Sequence, residues 1–290
     1  MTPIEVFGTT FQNPILLAAG TAAFGREVAG VLDLEQLGGF VTKAVSLEPR
    51  AGHEPPRVAE FAGGMLNAVG LANPGVEHVA AVELPWLAEN LVRARVLVNV
   101  VGDSAADFAG VVRRLEGQRV VSVFELNVSC PNTERGNEEF ASDDAVLADL
   151  VARCRAVTST PLVVKLAPTL ADLSRTAEVL AGAGADGFTL VNTFPGALYR
   201  VPRGRTDGPL RLGFGRGGVS GPALLPVGVL AVRTVKAAVG LPVIGLGGVR
   251  TLDDVDQYLA AGAALVGVGT AALCDPRLPE RLARSWRVRG

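Results

Sequence analysis

Short runs of aliphatic residues alternate with stretches in which apolar positions recur every three or four residues. The runs have the composition of buried parallel strands and lie at residues 13–19, 40–45, 96–101, 120–126, 161–166, 187–192, 242–246 and 264–268. Between most of them, the helical spacing predicts helices at residues 26–37, 105–116, 143–157, 172–183, 222–239 and 252–261. Eight strands with helices between them predict an α/β fold, a (β/α)8 TIM barrel.

Two internal repeats support the barrel. Residues 160–164 (Thr-Pro-Leu-Val-Val) are matched by residues 240–244 (Gly-Leu-Pro-Val-Ile), and residues 180–188 are matched by residues 259–267. Repeated units of one strand and one helix are what such a barrel contains. We therefore expect residues 1–290 to form a single barrel domain.

Three segments lie outside this alternation. Residues 4–12 predict an N-terminal hairpin around Gly8. Residues 46–95, after the second strand, and residues 193–221, after the sixth, have no regular pattern and are expected to be long irregular insertions. Connections of this length inside a compact domain are usually functional. The alternative is a surface loop, but Met65 and its apolar neighbours are poorly suited to water, so we expect the first insertion to pack against something instead.

Charge and composition exclude several classes of protein. A formal net charge of −2 and a pI near 5.8 offer no basic surface, so we expect no nucleic-acid partner. The three cysteines, at positions 130, 154 and 274, lack metal-ligand spacing, which predicts neither a disulfide framework nor a metal site. Residues 1–10 lack the features of an export signal, and no apolar run reaches the ~18 residues that span a membrane. We expect a cytoplasmic protein without membrane association.

Polar residues and glycines stand where the predicted strands end. They are Gly20, Lys43, Asn99, Asn127, Lys165, Asn192, Gly247, Gly248, Gly269 and Thr270. Because the carboxyl ends of all strands meet at one face of a TIM barrel, these residues predict one binding site, with a phosphate held by the glycines after the seventh and eighth strands. Lys43 and Lys165 over one pocket are costly unless an anion compensates them. Flavin mononucleotide (FMN) meets that need through its phosphate and its reduced ring.

The fourth predicted strand runs into residues 125–132, which read Glu-Leu-Asn-Val-Ser-Cys-Pro-Asn. Cys130 stands between two carboxamides, those of Asn127 and Asn132, where the strand gives way to a loop. A barrel places catalytic groups at such positions. From position alone a packing role stays equally open, because free cysteines are often buried and inert.

Together these motifs resemble those of the class 1 dihydroorotate dehydrogenases, FMN-dependent (β/α)8 enzymes of pyrimidine synthesis. The resemblance covers residues 13–276 and is carried by residues 43–44, 48–50, 56–60, 64–75, 84–87, 126–132, 164–166, 191–193, 217–222, 247–248 and 269–270. The membrane-associated branch of that family has serine where Cys130 stands, so the cysteine points to the soluble class.

The resemblance implies a role for each candidate residue. Cys130 is implied as the base that removes a C5 proton from (S)-dihydroorotate while C6 delivers hydride to flavin N5. Residues implied in FMN binding are Ala19, Gly20, Lys43, Ala44, Asn99, Asn127, Lys165, Val191, Gly221, Gly247, Gly248, Gly269 and Thr270. Residues implied in substrate binding are Lys43, Asn67, Ala68, Val69, Gly70, Leu71, Asn127, Asn132, Asn192 and Thr193. Where the family usually has Ser-Gly, this chain has Ala19-Gly20, so one hydrogen bond to the flavin comes from the backbone or is lost.

The sequence of residues 67–75 resembles the NAD-linked class 1B form more than the fumarate-using class 1A form. Class 1B implies a homodimer that passes electrons to an FAD and [2Fe-2S] subunit and then to NAD+. Three scattered cysteines cannot supply the four thiolates of a cluster, and no glycine pattern sits in a sound dinucleotide-binding unit, so another chain must hold the relay.

Three alternatives to this assignment stay open. One is a class 1A homodimer that reduces fumarate. Another is an FMN barrel that resembles the enzymes reducing uridine in transfer RNA, which the acidic charge disfavours. The third is a non-catalytic flavin-binding protein, which would not need Asn67, Cys130 and Asn192 together.

Overall fold

The aliphatic runs form the strands of a closed barrel in the computed structural model, which describes residues 3–128 and 143–289. In chain order the strands are β1 (Ile4–Val6), β2 (Thr9–Phe11), β3 (Ile15–Leu17), β4 (Gly39–Val41), β5 (Val58–Phe61), β6 (Gly64–Asn67), β7 (Arg95–Val100), β8 (Val121–Asn127), β9 (Leu162–Leu166), β10 (Gly187–Leu190), β11 (Phe194–Gly196), β12 (Gly217–Ser220), β13 (Val243–Leu246) and β14 (Leu265–Val268). The barrel runs β3-β4-β7-β8-β9-β10-β13-β14 and closes back on β3, with every neighbour parallel. This confirms the predicted (β/α)8 TIM barrel.

Helices cover the outer face of the barrel. They are α1 (residues 76–90, α-helical at Val76–His78 and Leu84–Asn90 around a π-helical Val79–Glu83), α2 (Ala105–Leu115), α3 (Asp144–Arg155), α4 (Leu173–Gly182), α5 (Leu224–Val239), α6 (Leu252–Ala260), α7 (Thr270–Cys274) and α8 (Leu278–Arg289). Their apolar faces pack on the strands in one large buried cluster. Among the described residues, no helix combines the length and apolar character needed to cross a membrane.

Inward-facing side chains fill the barrel in layers. One apolar layer contains Leu16, Val41, Leu97, Val123, Val163, Ile244 and Leu265. The β1–β2 hairpin, confirmed at the predicted place, packs Phe7 and Phe11 into the same cluster and so closes one end of the barrel. Residues two positions apart on a strand face the same side. The next layer toward the carboxyl ends is therefore polar, and it is built by Asn99, Glu125 and Lys165.

The two long insertions pair with each other, although the sequence predicted irregular structure for both. β11, β12, β6 and β5 form a four-stranded antiparallel sheet in which Gly218 lies opposite Asn67 and Val219 lies opposite Leu66. The prediction was wrong because each of these strands has only three or four residues and β12 begins with two glycines. Strands this short do not show a recognisable alternation of apolar and polar residues.

Two further predictions of secondary structure differ from the structure. The helix expected at residues 26–37 is replaced by two 3-10 turns, Arg26–Val28 and Leu34–Gln36. The side chain of Asp33 accepts a hydrogen bond from the Glu35 backbone, which starts a new turn instead of continuing a helix. Helix α8 was not predicted, because its arginine-rich sequence buries little more than Leu282 and Ala283.

Candidate active site

A cavity of about 960 Å³ lies at the carboxyl ends of the barrel strands, between the barrel and the inserted sheet. The predicted residues that line it are Ala19, Gly20, Lys43, Ala44, Asn67, Val69, Gly70, Leu71, Asn99, Asn127, Lys165, Val191, Asn192, Thr193, Gly221, Gly247, Gly248, Gly269 and Thr270. The structure therefore brings nearly every candidate residue to one site. Its volume lies near the upper end of the ~300–1,000 Å³ range of small-molecule sites.

Among the described candidate residues, Ala68 does not line the cavity. Ala68 is buried in a small apolar cluster with Leu66 and Leu212. Cys130 and Asn132 lie outside the described residues, so the roles implied for them stay predictions. Cys130 follows the last residue of β8, Asn127, by three positions.

The floor of the cavity rests on a buried polar layer supplied by four adjacent strands. Asn99 Nδ2 donates to Glu125 Oε1 at 2.7 Å, and Thr189 Oγ1 donates to Glu125 Oε2 at 2.8 Å. Lys165 Nζ lies 3.8 Å from Glu125 Oε1. All four residues are at most 5 % exposed. Burial of the Glu125 carboxylate is tolerated because both of its oxygens accept hydrogen bonds and a cation lies beside it.

Glu125 is a partner of Lys165 that was not predicted from the sequence. The two lysines were expected to need a bound anion, whereas Glu125 faces Lys165 directly. Lys165 lies on β9 opposite Asn127, two residues beyond Glu125 on β8, and a register shift between β7 and β8 at Val96/Leu97 brings Asn99 opposite Glu125. A usable signal was present, since Glu125 precedes Asn127 by two positions and so points to the same side of β8.

The side-chain oxygen of Asn99 shows what kind of ligand would fit the cavity. Within the described residues, Asn99 Oδ1 is a buried acceptor that finds no hydrogen-bond donor. Its Nδ2 is already engaged by Glu125, and Asn99 lines the cavity. A buried acceptor without a partner costs free energy, which a donor on a bound molecule would recover. The residues therefore fit a ligand with an N–H or O–H group, such as the flavin ring or ribityl chain of FMN.

Lys43 lies in the loop after β4 and lines the cavity, whereas the sequence placed it inside a longer strand. Burial lowers the pKa of this lysine, and the positive charge of Arg57 lowers it further. The carboxylate of Glu27 acts in the opposite direction. An ammonium group in these surroundings favours an anionic ligand, because a second negative charge would offset both burial and repulsion.

The glycines after β13 adopt conformations that other residues rarely reach. Gly247 has φ 121° and Gly248 has φ 77°. A Cβ at Gly248 would lie 2.7 Å from the backbone N of Leu225 at the start of α5. Tyr258 Oη donates to Gly247 O at 2.8 Å and holds the loop from α6. The loop therefore presents bare backbone to the cavity, which suits the close approach of a phosphate.

One wall of the cavity carries side-chain amides that hydrogen-bond one another or the backbone. Asn192 Nδ2 donates to Asn127 Oδ1 at 3.2 Å, and the Thr193 backbone N–H donates to Asn192 Oδ1 at 2.8 Å. Asn67, at the end of β6, donates through Nδ2 to Gly218 O at 3.2 Å. These contacts restrict the amides to fixed orientations. The wall is thus suited to a planar ligand with several donors and acceptors.

The two described cysteines differ in environment. Cys154 is buried in the outer core, and burial raises the pKa of its thiol to about 12. Cys274 is exposed at the rim of the cavity. In the described part of the chain, no cluster of three or more His, Cys, Asp or Glu residues is placed to hold a metal ion.

The family model described as dihydroorotate dehydrogenase matches residues 1–285. A relative from Listeria innocua is 42 % identical over 279 residues, which cover 96 % of this chain and 90 % of the relative. A relative from Bacillus thuringiensis is 42 % identical over 273 residues, which cover 94 % of this chain and 86 % of the relative. Both are named dihydroorotate dehydrogenase B (NAD(+)), catalytic subunit.

A solved structure supports the fold independently. The crystal structure of a dihydroorotate dehydrogenase from Eimeria tenella in complex with ferulenol matches with a TM-score of 0.79 and 21 % identity, over 99 % of this chain and 83 % of that one. At this identity the match concerns the barrel alone. The family match over residues 1–285 and the two relatives at 42 % identity show that the chain belongs to the dihydroorotate dehydrogenase family.

Proposed function

We propose that this chain is the catalytic subunit of an NAD-linked (class 1B) dihydroorotate dehydrogenase. It oxidises (S)-dihydroorotate to orotate in de novo pyrimidine (UMP) biosynthesis. The observation that carries the proposal is the cavity floor, where Asn99, Asn127 and Lys165 meet at the strand ends of a TIM barrel. Family membership and the names of the relatives from Listeria innocua and Bacillus thuringiensis support the same activity.

FMN is the cofactor of this activity, and when bound it supplies the flavin ring that accepts a hydride from the substrate. Asn99 Oδ1 would accept a hydrogen bond from it, and Lys43 and Lys165 would favour its negative charge. The loops at Gly247–Gly248 and Gly269–Thr270 would hold its phosphate. The remaining ligands proposed for it are Ala19, Gly20, Ala44, Asn127, Val191 and Gly221.

The substrate is a small ring with a carboxylate and two amide groups, and the amide wall of the cavity is proposed to bind it. Asn67, Asn127, Asn192 and Thr193 would pair with its donors and acceptors, together with Asn132, and Lys43 would contact its anionic side. The backbone at residues 68–71 would border the same position. Ordered amides of this kind fix the orientation of a ring before reaction.

Cys130 is proposed as the base that takes the C5 proton on its sulfur. A thiol has a reference pKa near ~8.5, much closer to neutrality than a serine hydroxyl, so modest stabilisation of the thiolate makes it effective. Met65, Val69 and Leu71 line the roof of the cavity. Their apolar side chains would exclude water from the reacting carbon atoms and so protect the proton transfer.

We further propose that the chain forms a homodimer in the cytoplasm and associates with an FAD and [2Fe-2S] subunit that passes electrons to NAD+. The word "subunit" in the names of the relatives supports a partner. The chain has three cysteines, and a cluster held by cysteine alone needs four thiolates. The cluster would therefore belong to the partner.

Turnover with different electron acceptors tests this function. The purified FMN-loaded chain is incubated with dihydroorotate and either NAD+ or fumarate, and orotate is measured by its absorbance. The NAD+ reaction is then repeated with the candidate partner from the same source. We expect little turnover by the chain alone and a large gain with the partner and NAD+. Efficient fumarate reduction by the chain alone, without gain from the partner, would instead indicate class 1A.

A further inference from the structure

Glu125 is a buried carboxylate that the proposed mechanism does not use. It is 1 % exposed and belongs to the polar layer of the barrel. Asn99 and Lys165 from the same layer line the cavity, whereas Glu125 lies behind them. Buried carboxylates are rare unless they are paired, so the position calls for a reason beyond packing.

The contacts of Glu125 come from three other strands, and each is a donor or a cation. Oε1 accepts from Asn99 Nδ2 at 2.7 Å and lies 3.8 Å from Lys165 Nζ. Oε2 accepts from Thr189 Oγ1 at 2.8 Å. Both oxygens thus act as acceptors, as those of an ionised carboxylate do. Glu125 consequently fixes two groups of the cavity floor, the amide of Asn99 and the ammonium of Lys165.

The charge balance of the floor follows from this pair. Lys165 contributes one positive charge and Glu125 one negative charge in a layer that water barely reaches. Charges in such surroundings act more strongly on their neighbours than exposed charges do. With Glu125 present the pair is neutral, and without its charge a bound molecule would face an uncompensated ammonium group.

We propose that Glu125 is a positioning residue that sets the redox balance of the cofactor. The inference rests on the proposed function, in which FMN occupies this cavity. Reduced FMN carries a negative charge on its ring that oxidised FMN lacks, so a net positive floor favours the reduced form. By neutralising Lys165, Glu125 limits that preference. Electrons can then leave for an acceptor of low potential such as NAD+.

The test measures how the pocket discriminates between the two forms of FMN. The midpoint potential of bound FMN is measured anaerobically against a reference dye for the wild-type chain and for Glu125→Gln, which keeps the shape and removes the charge. We expect the affinity for reduced FMN, relative to oxidised FMN, to rise about tenfold in the variant. A tenfold change corresponds to ~30 mV for a two-electron couple. An unchanged or lower ratio would overturn the proposal.

Thr189→Val is the matched control. It removes a hydrogen bond to the same carboxylate at an equally buried position but leaves the charge in place. Both variants are expected to melt at lower temperature than the wild type, whereas only Glu125→Gln is expected to change the affinity ratio. An equal change in Thr189→Val would show that any disturbance of the layer suffices, which would reject the role of charge.

A second comparison applies if Glu125→Gln does not fold or does not take up FMN. Lys165→Gln, which keeps the Glu125 carboxylate without its cation, is then compared with the double variant Glu125→Gln/Lys165→Gln. The double variant removes both charges. The double variant should favour reduced FMN about tenfold more than Lys165→Gln does. Equal ratios, or loss of FMN from the double variant alone, would overturn the proposal. Wild-type protein that takes up no FMN would instead reject the proposed function itself.

Discussion

The side-chain amide of Asn67 donates to the backbone oxygen of Gly218 at 3.2 Å and so joins two segments 151 residues apart in the chain. The two residues lie opposite each other in the inserted sheet. Gly218 also lies against Thr193, since a Cβ at position 218 would come within 2.0 Å of Thr193 Oγ1. One glycine therefore holds two proposed substrate ligands, Asn67 and Thr193, at their places on the cavity wall.

Gly218→Ala is expected to damage substrate binding while leaving the cofactor in place. The new methyl group cannot fit beside Thr193 Oγ1, and Thr193 is branched at Cβ, so the wall must shift. A misplacement of this size lowers kcat/KM by about ten- to a hundredfold. Steady-state kinetics with dihydroorotate and the FMN content of the purified variant are the measurements.

Gly182→Ala provides the control for that variant. Gly182 lies at the end of α4, where nothing lies within 4 Å of an added Cβ. This change should leave kcat/KM unaltered and raise the free energy of unfolding by up to ~1 kcal/mol. If Gly218→Ala behaved like Gly182→Ala, the sheet would not position the substrate ligands.

Cys130→Ala is expected to keep FMN but to slow its reduction by dihydroorotate by ~10²–10⁴-fold, which is the usual contribution of a general base. Stopped-flow absorbance under anaerobic conditions measures this rate. Cys274→Ala is the matched control, because Cys274 is exposed at the cavity rim. Reduction of the Cys130→Ala flavin at the wild-type rate would assign proton removal to another residue.

The contribution of Lys43 to the free energy of unfolding should depend on pH. Burial and the charge of Arg57 lower the pKa of Lys43 in the folded chain below its ordinary value of 10.5. The unfolded chain therefore binds this proton more tightly than the folded chain does. The folded state gains relative stability as pH rises toward that value and loses it as pH falls through the lowered pKa. The unfolding free energy of the FMN-free wild type relative to Lys43→Met should therefore increase from pH ~8 to pH ~10 in urea titrations. A flat or falling difference would contradict the burial of this ammonium.

The barrel could be predicted because parallel strands buried on both faces consist of aliphatic runs, and eight such runs stand in this sequence. The same count locates the carboxyl ends of the strands, so Lys165 near the end of β9 and Gly248 after β13 could be predicted to lie at one site. The inserted sheet could not be predicted, because its pairing joins Gly218 to Asn67 across the whole middle of the chain. Local patterns carry no information about contacts at that separation.

The role of Glu125 illustrates a second limit. Its position on β8 was visible in the sequence, but its partners come from β7, β9 and β10. The shifted register at Val96/Leu97, which brings Asn99 opposite Glu125, leaves no mark in the sequence. A charge inside a strand can therefore be recognised as unusual from the sequence, whereas its full set of hydrogen-bond partners is seen only in the packed barrel.

The reaction of bound flavin with dihydroorotate tests the central claim most directly. The purified chain, loaded with FMN and kept free of oxygen, is mixed with (S)-dihydroorotate, and the flavin absorbance is followed while orotate is quantified. We expect one FMN per chain, loss of its visible absorbance, and one orotate formed for each FMN reduced. A folded, FMN-loaded chain whose absorbance does not change, and which forms no orotate, would contradict the account.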